Sequence, residues 1–320
     1  MINFFDLPHI FIVFPPGAGG NFIAGLFDNI VSNRLGNIHI SKEGASHSVI
    51  GGSSITFGTS YDEHNRFTSQ EQREQYYIHR IKEDYKNVDT PVVAWTHDFT
   101  NIRLYKKYFK NSKVFVIKQD TDLERASCIF MNVTKMLVLD SSNWPLHEET
   151  RKQTHLQLTI KIYGDLNRTL RPEYKEEIIK NRYDEKYKDL LTFTISKCVL
   201  RYFGLLSLFE TLDQPEYNVY DQVLYPNKKI DQVWYSVGED IQKYVNEADA
   251  VLPYYYLKTR DFNLLATKIG TALGRDLENK ELDFLKNSFD KYVQAQNYEI
   301  LENPVSFYQK LYNKSQKYIL

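Results

Sequence analysis

Short apolar runs separated by polar stretches organise the first third of the chain. Ile10 to Phe14 (IFIVF) is continuously apolar and of strand length, the pattern of a strand buried on both faces. Val92 to Trp95, announced by Pro91, and Lys113 to Lys118 (KVFVIK) repeat it. Helical periodicity fills the gaps. Phe22, Ile23, Leu26, Phe27, Ile30 and Val31 fall on one stripe, which predicts a helix from about Asn21 to Asn33 with Gly36 as its C-terminal cap. Residues 69–85 offer Tyr76, Tyr77, Ile81 and Tyr85 for packing on a second helix. Asn101 to Phe109 predicts a short helix, and Asp120 to Leu137 a longer one with Asp120 or Thr121 as its N-cap.

The alternation of strand and helix predicts an α/β fold of three layers: a central, mostly parallel sheet covered by helices, with a helix-rich C-terminal half. Residues 37–67, rich in Gly, Ser and His, read as an irregular insertion with two short strands, Ser48–Ile50 and Ser54–Phe57. Residues 146–236 read as a mainly helical region that turns irregular from 213 onward. Val251 to Leu257 is a late strand candidate. Phe262 to Leu273, Asn279 to Val293 and Pro304 to Tyr318 carry helical patterns. With no repeat, low-complexity tract or linker, the expectation is a single domain over residues 1–320.

Composition narrows the function classes. A formal net charge of -1 gives no general drive toward DNA or RNA, so no nucleic-acid partner is expected. Cys128 and Cys198 stand far apart, without metal or redox spacing. Residues 1–8 lack the basic start of a signal peptide, and no run reaches the ~18 apolar residues of a membrane helix. A cytoplasmic protein without a membrane partner is expected. Tyr and Phe are frequent but spread along the chain, which assigns them mainly to packing.

The most informative stretch joins the first strand to the first helix: Pro15-Pro16-Gly17-Ala18-Gly19-Gly20-Asn21-Phe22. Small residues there let backbone N–H groups surround an anion. The start of the helix adds unpaired donors and a positive dipole end. The stretch departs from both standard nucleotide motifs. It lacks the Gly-Lys-Ser/Thr of the Walker loop, and Phe22 stands where the Rossmann pattern needs its third glycine. A plain turn is the alternative, yet four small residues in a row exceed what turning needs.

In a parallel sheet every strand delivers its C-terminal end to the edge that carries this loop. The second strand ends Trp95-Thr96-His97-Asp98, so His97 should stand beside the loop as a proton acceptor. The competing reading makes it a cap for the helix beginning near Asn101. The third strand brings Lys118 and Gln119 to the same edge, and the helix after it carries Arg125 and Ser127 early. These are donors for a second anionic group, or else a solvated charge and a small packing residue.

This arrangement resembles the sulfotransferase family, whose donor is 3′-phosphoadenosine 5′-phosphosulfate (PAPS). In that family a loop of the type Pro-Lys-Ser-Gly-Thr-Thr-Trp holds the 5′-phosphosulfate; the matching residues are Pro15 to Phe22. A second strand in many members ends Lys-Thr-His with the histidine as base, matched by Trp95-Thr96-His97. An Arg after the third strand and a Ser in the next helix hold the 3′-phosphate. Ser127 matches the Ser, while Gln119 stands at the Arg position, leaving Lys118 or Arg125 to substitute. Tyr254 to Gly274 is similar to the family's late strand and the helix ending Leu-Gly. The likeness spans residues 9–137 and, more weakly, 251–297. The loop lysine of the family is absent, its place taken by Pro16 or Gly17.

The resemblance implies a P-loop-like phosphate-binding loop and PAPS as co-substrate, with no metal. The phosphosulfate would be held by Gly17, Ala18, Gly19, Gly20, Asn21 and Phe22. His97 would be the base toward a hydroxyl or amine of a small-molecule or glycan acceptor. Two other functions stay open: a nucleotide-dependent phosphotransferase of kinase type, and a protein that keeps the fold for binding or structure alone.

Overall fold

The computed structural model describes residues 3–15, 17–36, 55, 57, 67, 69–134, 169–181, 184–202, 241–295 and 299–320. The chain divides into two compact units, Met1–Asp120 with Asp231–Gln296, and Thr121–Ile230 with Asn297–Leu320. The first is an α/β unit built on a four-stranded, all-parallel sheet. Its strands are β1 (Ile10–Val13), β2 (Val93–Thr96), β3 (Lys113–Lys118) and β4 (Ala250–Pro253), in the order β2-β1-β3-β4. β1 pairs on both sides, with Phe11 opposite Ala94 and Val114. That explains its unbroken apolar run: a strand with two neighbours and two covered faces has no position to give to water.

Helices cover each face. Phe11, Val13, Ala94, Val114 and Val116 share one core with Tyr77 and Ile81 of α2 (Gln70–Asp84) and Ile102 and Tyr105 of α3 (Asn101–Tyr108). The Phe11 and Tyr105 rings stack at 3.8 Å and 6°. On the opposite face Phe115 meets Phe27 of α1 (Gly20–Val31) edge to face at 5.1 Å. Phe11 and Phe115 are fully buried, each burial contributing roughly 1.5–3 kcal/mol. Of the 37–67 segment, Ile55, Phe57 and Phe67 are described, and Ile55 and Phe57 are buried against α3. The Ile55 carbonyl accepts the Tyr105 hydroxyl at 2.8 Å, and the Phe57 N–H donates to Asn101 Oδ1 at 2.8 Å. The remaining positions of the two expected short strands lie outside the described residues, as do 213–236 and most of 146–212.

Two ends differ from expectation. α1 stops earlier than Gly36: Asn33 takes the left-handed conformation at φ 52°, and Asn33 and Arg34 N–H close the last turn onto Ile30 and Asn29 carbonyls. The late strand is shorter than Val251–Leu257. Its partner β3 ends at Lys118, whose carbonyl takes the last ladder bond from Tyr254 N–H at 2.7 Å. With no partner beyond, the chain turns into α8 (Tyr256–Thr259). The remaining helices of this unit are α7 (Ile241–Val245), α9 (Phe262–Leu273) and α10 (Asn279–Ala295).

The second unit is helical among its described residues, comprising α4 (Asp122–Thr134), α5 (Pro172–Lys180), α6 (Lys188–Tyr202), α11 (Glu299–Glu302) and α12 (Pro304–Ser315). Thr121 starts α4 with a reciprocal cap. Its hydroxyl accepts from Glu124 N–H and its own N–H donates to the Glu124 carboxylate, each at 3.2 Å. Phe130 of α4 meets Phe307 of α12, and Phe193 of α6 meets Tyr308 of α12, at 5.3 and 5.2 Å. Among the described residues no helix is long and apolar enough to cross a membrane.

His9, just before β1, is wholly buried with both ring nitrogens engaged. Nε2–H donates to the Phe4 carbonyl at 2.7 Å, and Nδ1 accepts from Val92 N–H at 3.1 Å. A second ring proton would displace Val92, and burial lowers the His9 pKa below its ordinary 6.5. Below that pH the unfolded chain takes up a proton that the folded one refuses, so stability falls as pH drops from 6.5 toward the folded value. We expect the melting temperature to decline over that range with a His9 contribution approaching about 1.4 kcal/mol per pH unit. His9→Gln should show a shallower decline. Parallel pH profiles for the two proteins would refute the assignment.

Candidate functional site

Because all four strands run the same way, the residues after Val13, Thr96 and Lys118 leave from one edge of the sheet. From β1 the chain passes to β2 on one side, whereas β3 is followed by β4 on the other. Connections therefore diverge between β1 and β3, and such a switch point is where open α/β sheets form their ligand crevices.

The loop after β1 opens with Ala18 N–H bonded to the Pro15 carbonyl at 3.1 Å. Gly17, at φ 84°, occupies the position of that turn that needs a positive angle. Gly19, at φ 74°, is the N-cap of α1, and its carbonyl accepts from Ile23 N–H at 3.2 Å. Being a glycine, the N-cap has no side chain with which to cap the helix. The N–H groups of Gly20, Asn21 and Phe22 are those that helix geometry leaves without an intrahelical acceptor.

Packing explains much of the glycine content. A Cβ on Gly20 would overlap Cγ and Cδ1 of the Phe14 ring. A Cβ on Gly19 would lie 2.5 Å from the Tyr292 hydroxyl oxygen. The backbone thus passes between the Phe14 ring and Tyr292 of α10, whose own ring stacks on Phe22 at 4.0 Å and 4°. The small residues do exceed what a turn needs, and close approach to two aromatic rings accounts for the excess. Ala18 is fully buried. The Asn21 side chain is half-buried, and among the described residues its buried Oδ1 makes no hydrogen bond.

His97 stands beside this loop. Its Nδ1–H donates to the Phe14 carbonyl at 2.9 Å, and its ring meets the Phe14 ring at 4.6 Å and 84°. Since a carbonyl only accepts, Nδ1 carries the proton, and in the neutral ring Nε2 is the basic nitrogen. Trp95, half-buried on the edge strand β2, lies 5.2 Å from the His97 ring. The turn into α3 is organised by the neighbour of His97. Asp98, buried, accepts from Thr100 N–H at 2.9 Å and from the Thr100 hydroxyl at 2.7 Å.

Lys118 and Gln119 are half-buried at the end of β3, and Lys118 pairs with Asp120 at 2.6 Å. The loop, His97, Lys118 and Gln119 all belong to the first unit. Arg125 and Ser127 lie on α4 in the second. There Arg125 pairs with Asp122 at 2.9 Å, and Ser127 is wholly buried. Tyr292 escapes sequence reasoning, because locally it is one more apolar-face position of the 279–293 helix. Among the described residues no group of His, Cys, Asp or Glu side chains has the makings of a metal site. Comparison with protein-family models, with curated proteins and with solved structures finds no match to this chain.

The Gly20 contact makes a direct prediction. Gly20→Ala must move the Phe14 ring or the backbone and should cost about 1–3 kcal/mol, as overpacking does. Gly36→Ala is the control: the nearest atom to its Cβ is the Arg34 carbonyl oxygen at 4.0 Å, and its cost should stay within about 0.5 kcal/mol. Chemical denaturation midpoints measure both. Equal midpoints for the two variants would contradict the packing described.

Proposed function

We propose that this protein transfers a sulfuryl group from PAPS to a hydroxyl or amine of a small-molecule or glycan acceptor. The observation that carries the reading is the His97–Phe14 hydrogen bond. It sets an imidazole, with Nε2 as its basic nitrogen, against the residue from which the glycine loop departs. With this goes the reading of Phe14 to Phe22 as a P-loop-like phosphate-binding loop within a three-layer α/β arrangement.

The proposed chemistry follows. The phosphosulfate lies against the backbone N–H groups of Gly20 and Asn21 at the uncapped head of α1, where the helix dipole also favours negative charge. Lys118 supplies a cation at the same edge. The acceptor oxygen or nitrogen attacks sulfur in line while the bond from sulfur to the bridging phosphate oxygen breaks. 3′-Phosphoadenosine 5′-phosphate departs with that electron pair, and His97 Nε2 takes the acceptor's proton. The transition state is loose, so positioning and charge stabilisation do most of the catalysis. The scheme needs no metal. A kinase-type reading is disfavoured because the loop has neither the lysine nor the hydroxyl that meet the phosphates and magnesium.

A second reading, a fold kept for binding without transfer, is favoured by the packing of Gly19 and Gly20 against Tyr292 and Phe14, which accounts for these glycines without a ligand. Ligand binding separates the readings. 3′-Phosphoadenosine 5′-phosphate should raise the melting temperature in a concentration-dependent way, and ATP with magnesium should not. His97→Ala should keep that shift while transfer from PAPS falls by roughly a hundredfold or more. A shift with ATP and magnesium alone would move the assignment to phosphoryl transfer. No shift with either nucleotide would leave only the binding role.

A further inference from the structure

We infer that Tyr292, supplied by α10, is a positioning residue of the glycine loop: it sets the backbone of Gly19 and thereby the aim of the N–H groups that follow. The inference rests on the reading of that loop as an anion cradle, and it deepens that reading by naming what holds the cradle in shape.

Three observations meet at this point. Gly19 holds a positive φ of 74° as the N-cap of α1 and has no side chain to brace it. The Tyr292 hydroxyl oxygen stands 2.5 Å from where a Cβ on Gly19 would be, and the ring carbon that bears it 3.3 Å from that point. The Tyr292 ring is itself fixed, buried and stacked flat on Phe22 three residues further on. Tyr292 therefore touches the loop both before and after the donors of Gly20 and Asn21. Phe14 lies against Gly20 within the same stretch. A backbone wedged between two aromatic side chains cannot swing its N–H groups without displacing one of them, and interiors resist such displacement. Preorganised donors of this kind lower the barrier because nothing has to be reoriented when charge develops. The brace comes from the ring, and the hydroxyl sets how near the loop may come.

Separate variants address the two parts of the side chain. Tyr292→Phe keeps the stack and removes the hydroxyl; Tyr292→Leu removes the stack. The first readout is the affinity for 3′-phosphoadenosine 5′-phosphate by calorimetry. The second is amide hydrogen exchange over residues 17–22 in the ligand-free protein, with melting temperature recorded for each variant. Tyr292→Leu should weaken binding on the order of tenfold or more, the scale of a misplaced binding group, and speed exchange in the loop. Tyr292→Phe should stay close to the parent protein in both. Gly19→Ala tests the contact itself. Its new methyl meets the Tyr292 oxygen, so Gly19→Ala should speed loop exchange, and Tyr292→Phe in the same chain should partly reverse that effect. Loop exchange unchanged in Tyr292→Leu, or a Gly19→Ala defect that Tyr292→Phe does not relieve, would overturn the inference. If the parent protein fails to bind 3′-phosphoadenosine 5′-phosphate, the sulfuryl-transfer reading falls, and loop exchange and the paired variants still decide the role of Tyr292.

Discussion

The contact between the Phe14 ring and the Cα of Gly20 governs how the chain leaves the sheet. β1 is paired on both sides and covered on both faces, so the side chain that follows it must also be accommodated inside the protein. Phe14 is placed against the first residue of α1, which is possible only where that residue has no side chain. The same stretch holds the turn at Gly17, the positive φ at Gly19 and a helix whose N-cap, a glycine, has no side chain to offer. The Phe14 carbonyl, aimed by the same geometry, is what anchors His97.

Two histidines show how neighbouring backbone decides what an imidazole can do. His9 lies below the start of β1, between the Phe4 carbonyl and Val92 N–H, and both nitrogens are consumed in joining the segments that enter the sheet. Its neutral form is part of the fold, and its proton affinity is lowered by burial. His97 lies at the opposite edge, half-buried, with Nδ1–H committed to Phe14. What each imidazole is bonded to thus comes from what each strand end meets.

Much of the architecture is legible in the sequence because its causes are local. A continuous apolar run, such as Ile10 to Phe14 or Val114 to Ile117, carries the signature of a doubly covered strand, and the sheet is indeed all parallel. Thr121 followed three residues later by Glu124 marks the head of α4 through a cap that needs only its own turn. The end of α1 was less legible, since Asn33 can adopt the left-handed conformation that points first to Gly36. The length of the late strand is not legible locally, because its end is set by where β3 stops.

What the sequence by itself determined about this protein is the alternation of buried strands and amphipathic helices, the site of the glycine-rich loop and the arrival of His97 at the same sheet edge. Those features depend on periodicity and on the direction of a parallel sheet, which short stretches of chain encode. Only the tertiary structure decided that Gly20 makes room for Phe14 and that Tyr292 closes on Gly19 and Phe22. Both depend on how side chains pack in three dimensions, which the periodicity of a short stretch does not encode. Close packing, which admits no second side chain where one already stands, settles them together.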